Sequence, residues 1–192
     1  MSKVQLLSQQ QTSLYKGGVQ RRGAILRSTG AWKCLLAGFI GGVGGAFAMR
    51  SFSVLWRRLG GPSSAPPGEP YSSQEWDSAA GAAEHVAKVL LARGLSAEEK
   101  RRGGAAVHYV VGGLAAAVYA AAGEGRPWLR AGDGAAFGLA FWLLGDELIM
   151  PRLSLTRAPR DYPLLAHMNS LGEHIVYGTT TEVLRRAMLR LI

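Results

Sequence analysis

Residues 103–123 read GGAAVHYVVGGLAAAVYAAAG, and no side chain among them carries a formal charge. At about 1.5 Å per residue, a helix of this length reaches about 31 Å, which matches the hydrocarbon thickness of a bilayer. The stretch is rich in glycine and alanine, which membrane helices tolerate because small residues let two backbones approach. It therefore predicts a membrane-spanning helix, and this helix decides the fold class.

A second uncharged run, CLLAGFIGGVGGAFAM at residues 34–49, lies between Lys33 and Arg50. With its apolar extension to Trp56 it predicts a first spanning helix over residues 32–57. Several glycines in the apolar runs are spaced four apart, which places them on one helix face and favours a close helix crossing. The alternative is a merely flexible glycine run. The glycines expected to pack helices together are Gly38, Gly41, Gly42, Gly45, Gly112, Gly134 and Gly138.

The same N-terminal region has another interpretation. A basic arm, an apolar stretch and the small residues around Ala48 also fit a cleaved signal peptide. The pair Arg21-Arg22 fits a twin-arginine export signal. Because the apolar character continues past Ala48 into an aromatic and basic flank, we favour a retained helix.

Three further helices are predicted. Residues 76–93 carry an apolar stripe at spacings of three and four and a polar opposite face, which favours a helix that lies on the membrane or caps the bundle. Residues 132–151 predict a short spanning helix that ends at Pro151. Residues 163–190 predict a last helix with a polar face, and it spans only if that face turns into the bundle.

The charge pattern also favours a membrane. The chain has 22 basic and 13 acidic residues, a net charge of +9, and the basic residues bracket the apolar runs. This distribution is typical of helix flanks that attract anionic headgroups, and no reader motif for nucleic acid accompanies it. Basic residues near the predicted helix ends are equally numerous on the two sides, so the positive-inside rule gives no orientation. Cys34 is the single cysteine, which excludes an intrachain disulfide.

Ionisable side chains within the apolar helices are the candidate functional groups, because they are costly at membrane depth. They form a proposed buried polar cluster that consists of His108, Tyr109, Asp146, Glu147, Glu173, His174 and Tyr177. One hypothesis is a proton- or cation-handling site, since adjacent carboxylates and a histidine titrate one another. The other places Asp146 and Glu147 at the headgroup level, paired with Arg152 or Arg157, and we favour this second hypothesis.

Enzyme chemistry finds little support. The chain has no GxSxG, no P-loop and no HExxH motif, and Glu173-His174 are adjacent rather than spaced to share a helix face. We therefore expect no metal and no cofactor, and we lean against an enzyme.

The chain resembles the YagU-like family of uncharacterised bacterial inner-membrane proteins over roughly residues 31–187. The pieces that carry this resemblance are AGFIGGVGGAFAMRSF at 37–52, WDSAAGAAEHVA at 76–87, VHYVVGGLAAAVYAAAGE at 107–124, GAAFGLAFWLLGDELIMPRLSL at 134–155 and HMNSLGEHIVYGTTTEVLRR at 167–186. The resemblance implies an integral membrane fold and a multi-pass location in the bacterial cytoplasmic membrane. It supplies no reaction.

We expect an all-α protein with a polar basic arm at residues 1–30 and one membrane domain at residues 31–192. The domain is a polytopic bundle of about four transmembrane helices plus one interfacial amphipathic helix. The expected function is that of a non-enzymatic membrane protein, a structural or accessory subunit of a larger complex. The alternative is a small transporter or proton-linked protein. The expected partners are anionic lipid headgroups and a second copy or other membrane subunits, without nucleic acid.

Overall fold

A computed structural model describes residues 30–61, 73–156 and 158–192. The regular structure in these residues is entirely helical, which confirms the predicted fold class at this level. The helices are α1 (Ala31–Arg58), α2 (Ser73–Leu91), α3 (Ala97–Ala122), α4 (residues 135–152) and α5 (Leu164–Leu191). Short 3₁₀ helices precede α4 at Pro127–Gly134 and α5 at Pro159–Asp161. The predicted N-terminal arm, apart from Gly30, and residues 62–72 lie outside the described residues.

Helix α1 lies between α3 and α5 and is antiparallel to both. Its glycines face two different neighbours: Gly38 and Gly42 face α3, whereas Gly41 and Gly45 face α5. A Cβ atom added at Gly38 would lie 2.6 Å from the carbonyl oxygen of Ala116 on α3. One added at Gly41 would lie 2.8 Å from the carbonyl oxygen of Thr181 on α5. Both are closer than real Cβ atoms approach, so glycine is what permits these two backbone contacts.

The register is antiparallel along the whole of α1. Gly38 lies opposite Ala116 to Ala120 and Gly42 lies opposite Gly112 and Gly113, so α3 runs the other way. On the α5 side, Gly41 lies opposite Thr181 and Arg185, and Gly45 lies opposite Tyr177. The helix continues through Ala48 without a break, and buried Ala46 and Met49 join Tyr177 in the apolar core.

Helix α3 begins six residues before the predicted start, at Ala97, because Ser96 caps it. The Ser96 hydroxyl accepts from the backbone N–H of Glu99, and the Glu99 carboxylate accepts from the backbone N–H of Ser96. This reciprocal capping box extends the helix into a charged turn. The sequence prediction missed this turn because it was based on the uncharged run alone.

Helix α2 packs antiparallel on the first turns of α3. Its alanines Ala80 and Ala83 meet Gly104 and Gly103, and Glu84 forms an ion pair of 2.7 Å with Lys100. Val89 and Leu90 on its other side remain largely exposed. The amphipathic helix expected at residues 76–93 is therefore present as the first arm of a helical hairpin.

Helix α4 is irregular at both ends. The expected start at residue 132 is a turn in which Gly132 and Gly134 adopt left-handed φ of +61° and +97°, so the α-helix begins at Ala135. Ala135–Trp142 is α-helical, Leu143–Ile149 is π-helical, and Met150–Arg152 is again α-helical. Pro151 offers no N–H to the carbonyl of Glu147, which explains why the regular ladder is interrupted here.

Three helical segments of the described residues are long and apolar enough to cross a membrane. They are Ala31–Arg58, Ala97–Ala122 and Pro127–Arg152. Many large apolar side chains on these segments are exposed, among them Phe47, Val118 and Leu144. Exposed apolar surface on this scale is what a bilayer would cover, and it supports an integral membrane protein.

Candidate functional site

The two acidic side chains of α4 lie on its π-helical turn and face α5. The Ser170 hydroxyl donates to Asp146 Oδ2 at 2.7 Å. Nδ1 of His167 lies 2.6 Å from Glu147 Oε1. His174 follows one turn further along α5, with Nδ1 3.9 Å from Asp146 Oδ2. We call Asp146, Glu147, His167, Ser170 and His174 the acid–histidine centre.

The local backbone explains why both carboxylates reach the same neighbour. Adjacent residues of an α-helix point in clearly different directions, and the wider π turn at Leu143–Ile149 changes that spacing. Single π turns are rare in proteins, and those that occur are often found at functional sites. On α5 the partners follow a regular pattern, because residues 167, 170 and 174 are spaced by three and four and share one face.

The centre is held mostly away from solvent. The side chains of Glu147 and His167 are 15% and 20% exposed, and that of His174 is 7% exposed. Asp146 is the most open, with 33% of its side chain exposed. A buried carboxylate is costly unless it has a partner, so the contacts with Ser170 and His167 stabilise this end of the bundle.

Hydrogen bonds fix His174 and His167 in different ways. Nδ1 of His174 lies 2.9 Å from the carbonyl oxygen of Ser170, one turn earlier on the same helix, so Nδ1 carries a proton and donates. His167 is bound from two sides, since its Nε2 lies 3.0 Å from the carbonyl oxygen of Pro159 while Nδ1 faces Glu147. Phe141 packs against the His174 ring with centroids 5.8 Å apart.

The structure brings together some of the predicted cluster. Asp146, Glu147 and His174 share the centre. His108 on α3 interacts electrostatically with His174 and Asp146 and lies edge-on to the Tyr109 ring, with centroids 5.4 Å apart.

Other members of the predicted cluster lie elsewhere. Tyr177 is 1% exposed and donates to the carbonyl oxygen of Gly112 at 2.6 Å, within the apolar core. Tyr109 packs against that core. Glu173 is buried on α5 next to His174 in the sequence.

Among the described residues, the hydrogen-bond partners of the two carboxylates lie on α5. Asp146 accepts from Ser170, and Glu147 contacts His167. Arg157 lies outside the described residues. His167 and Ser170 belong to the polar face predicted for α5, but their pairing with α4 was missed because sequence spacing gives no register between two helices.

A second polar group lies at the opposite end of the bundle. Glu182 is fully buried and accepts from both Arg185 and Arg186 at distances of 2.7–2.8 Å and from the Tyr119 hydroxyl at 2.9 Å. Arg186 also pairs with Asp133 at 2.8 Å, in the turn that precedes α4. We call these five residues the Glu182 network. Sequence reasoning missed Arg185, although the polar spacing of α5 leads from Thr181 to it in one more step of four.

The Glu182 network differs chemically from the acid–histidine centre. Two carboxylates face two guanidinium groups, so its formal charges cancel, and every Glu182 oxygen is occupied by charge-assisted bonds. Its role is to fasten α3, α5 and the turn before α4 together. Within residues 30–61, 73–156 and 158–192, no three histidine, cysteine or acidic side chains are arranged to hold a metal ion.

All five residues of the centre fall within a known family region. A family model described as "Protein of unknown function (DUF1440)" matches residues 84–183, just over half of the chain. The chain belongs to this family. The DUF1440 region begins within α2, contains α3 and α4, and ends in α5 one residue after Glu182, so it includes the whole acid–histidine centre. No curated protein and no solved structure matches the chain.

Proposed function

We propose that this protein is a proton-linked transport protein of the bacterial cytoplasmic membrane, with the acid–histidine centre as its proton-binding site. The observation that carries the proposal is the 2.6 Å contact between Glu147 and His167, flanked by Asp146 and His174. Histidine is the side chain that changes charge between about pH 5 and pH 8, and a partly buried carboxylate beside it can accept or supply that proton.

The proposal includes a fourth spanning helix, α5. By composition α5 is too polar to be recognised as a span, but its charged and polar residues Glu182, Arg185 and Thr181 are buried inside the bundle. It runs antiparallel to α1, because Tyr177 lies opposite Gly45 and Arg185 lies opposite Gly41. At the end of α5, the Lys33 ammonium near the start of α1 donates a hydrogen bond to the carbonyl oxygen of Ile192. A partner that accompanies α1 over this length has the same depth in the bilayer.

The first arm of the α2–α3 hairpin occupies the headgroup layer in this arrangement. Its last turn carries exposed Val89 and Leu90 beside Lys88, and the neighbouring turn of α3 carries exposed Arg101 and Arg102. Apolar side chains next to cations suit the boundary between acyl chains and anionic headgroups. The resemblance to the YagU-like proteins supports the bacterial inner-membrane location.

A second candidate function is that of an accessory subunit in a larger membrane complex. The observation that favours it is the exposure of the segment Pro127–Arg152, which contains α4. Only 11% of the residues in its most apolar stretch are buried inside the protein, compared with 44% for α1. Leu139, Leu143 and Leu144 therefore face either lipid or another subunit. Native purification in a mild detergent distinguishes the two candidates, because an accessory subunit leaves the membrane with a stoichiometric partner.

The proton-linked function is tested in proteoliposomes that enclose a pH-sensitive dye. An imposed pH gradient, with valinomycin and potassium to balance charge, should decay faster with the wild-type protein than in empty liposomes. Asp146→Asn combined with Glu147→Gln keeps the shape of both side chains and should return the rate to that of empty liposomes. The control Glu84→Gln alters a carboxylate on α2 and should leave the rate unchanged.

Two outcomes contradict the proposal. One is a wild-type rate equal to that of empty liposomes. The other is an undiminished rate in the double variant, which would mean that protons move without the acid–histidine centre.

A further inference from the structure

The ring of His167 lies between two groups that only accept hydrogen bonds. Nε2 is 3.0 Å from the backbone carbonyl oxygen of Pro159, and Nδ1 is 2.6 Å from Glu147 Oε1. A carbonyl has no proton to donate, and neither does an ionised carboxylate. A neutral imidazole carries a single N–H and can satisfy only one of these two acceptors.

Both contacts are satisfied only when the pair holds one additional proton. In one arrangement His167 is an imidazolium that donates from both nitrogens to ionised Glu147 and to Pro159. In the other, Glu147 is protonated and donates to Nδ1, while the neutral ring donates from Nε2. The two arrangements differ by a proton transfer along the 2.6 Å contact, and each leaves the pair without net charge.

Removal of that proton breaks one of the two contacts. If the remaining ring proton stays on Nε2, the lone pair of Nδ1 faces the ionised carboxylate of Glu147. Two acceptors without a proton between them repel each other at 2.6 Å. The proton therefore goes to Nδ1, because the ionised carboxylate is a stronger acceptor than a carbonyl, and the carbonyl of Pro159 then loses its donor. We propose that one proton shared by His167 and Glu147 closes the turn Pro159–Asp161 over the acid–histidine centre, and that its loss opens the turn. This inference rests on the proposed function and names its regulation.

The described residues around the pair supply several other charged and titratable groups. Nearby on the turn, Arg160 is 3.8 Å from Asp161, and both are exposed. Tyr162 lies edge-on to the His167 ring, with centroids 6.4 Å apart. The remaining titratable or charged groups on the elements that build this end of the described bundle are Asp146 and Arg152 on α4, Glu173 and His174 on α5, His108 on α3 and Arg50 on α1.

The experiment measures access to the turn by thiol labelling. Cys34 is buried and is first replaced by Cys34→Ser, and a reporter Ala158→Cys is placed at the half-buried start of the turn. Labelling with a membrane-impermeant maleimide is followed from about pH 5 to about pH 9, the range that contains histidine titration. Each rate is divided by that of Leu59→Cys, an exposed position at the end of α1, which removes the pH dependence of the thiol itself.

The labelling ratio should rise about tenfold with pH in the wild-type background, the effect of losing one charge-assisted hydrogen bond. Glu147→Gln should hold the ratio low at every pH, because its side-chain amide donates permanently to Nδ1. His167→Gln should hold the ratio high at every pH. The opposite responses of the two variants separate the proposed closure from a general loss of structure.

A wild-type ratio that does not change with pH overturns the inference, as does a pH-dependent rise that survives in Glu147→Gln. Ring-nitrogen NMR of His167 in the unmodified chain gives a check that needs no variant: an unprotonated Nδ1 facing an ionised Glu147 at a pH where the turn is closed also overturns it. A flat labelling ratio with proton flux intact refutes only this inference. Absence of flux with a pH-dependent ratio refutes the transport function instead.

Discussion

Gly178 on α5 and Gly138 on α4 cross so closely that neither position has room for a Cβ atom. A Cβ atom added at Gly178 would lie 2.6 Å from the backbone nitrogen of Gly138 and 2.9 Å from its Cα atom. Ordinary contact begins at 3.4 Å, so α4 would have to retreat by at least 0.8 Å, the difference between 3.4 and 2.6 Å. Because both atoms belong to the backbone, no side-chain rotation can relieve the overlap.

Gly178→Ala should therefore destabilise the protein. Overpacking typically costs about 1–3 kcal/mol, and the better helix propensity of alanine offsets up to about 1 kcal/mol of this. The matched control is Gly172→Ala on the same helix, where an added Cβ atom meets nothing within 4 Å. There only the propensity gain of about 0.5–1 kcal/mol remains.

The assay is equilibrium unfolding in mixed micelles of a mild detergent and sodium dodecyl sulfate, followed by circular dichroism. The free energy of unfolding should fall for Gly178→Ala and rise for Gly172→Ala, with a gap of about 2 kcal/mol between them. Equal stability of the two variants would refute the close crossing of α4 and α5.

Three further predictions use the same protein. Glu182→Gln leaves buried Arg185 without its counter-ion and should lower the free energy of unfolding by about 3–5 kcal/mol in the same assay. A decrease in this free energy smaller than that caused by Tyr119→Phe would contradict the Glu182 network. Gly41→Ala should destabilise because its Cβ atom meets the Thr181 carbonyl, whereas Gly44→Ala meets only the end of the Leu184 side chain and should be tolerated. The hydrogen bond from Lys100, together with Lys88, holds the pKa of the Glu84 carboxyl below its ordinary value. This contribution is complete above the ordinary carboxyl pKa and is lost as the pH falls through the lowered pKa. The protection of α2 amides, measured as the exchange rate relative to the intrinsic rate at each pH, should therefore fall on acidification, and Glu84→Gln should abolish that response.

The sequence predicts helices well where one physical signal dominates. The uncharged run at 103–123 predicts α3, and the glycine spacing of α1 indicates close crossings. A pair of glycines defines a face of a helix but not the helix it meets, so the division of Gly38 and Gly42 to α3 and of Gly41 and Gly45 to α5 is visible only in the structure. The early start of α3 was missed because a capping box, not hydropathy, determines it.

The candidate site was less predictable for a related reason. Asp146, Glu147 and His174 stand out as ionisable residues in apolar surroundings, and the sequence suffices to single them out. Their pairing depends on the π turn and on the register between α4 and α5, which long-range packing determines. Arg185 and Tyr119 were missed because a fully paired buried carboxylate has no local sequence signal.

Alkaline carbonate extraction of cell membranes tests most directly whether these helices reside in the bilayer. Carbonate releases proteins that are held at the surface by charge, whereas a chain with several spanning helices stays in the membrane pellet until detergent dissolves the lipid. We expect the full-length chain in the pellet after carbonate treatment and in the supernatant only after detergent. Its recovery in the carbonate supernatant, free of lipid, would contradict the membrane fold and the proton-binding site inside it.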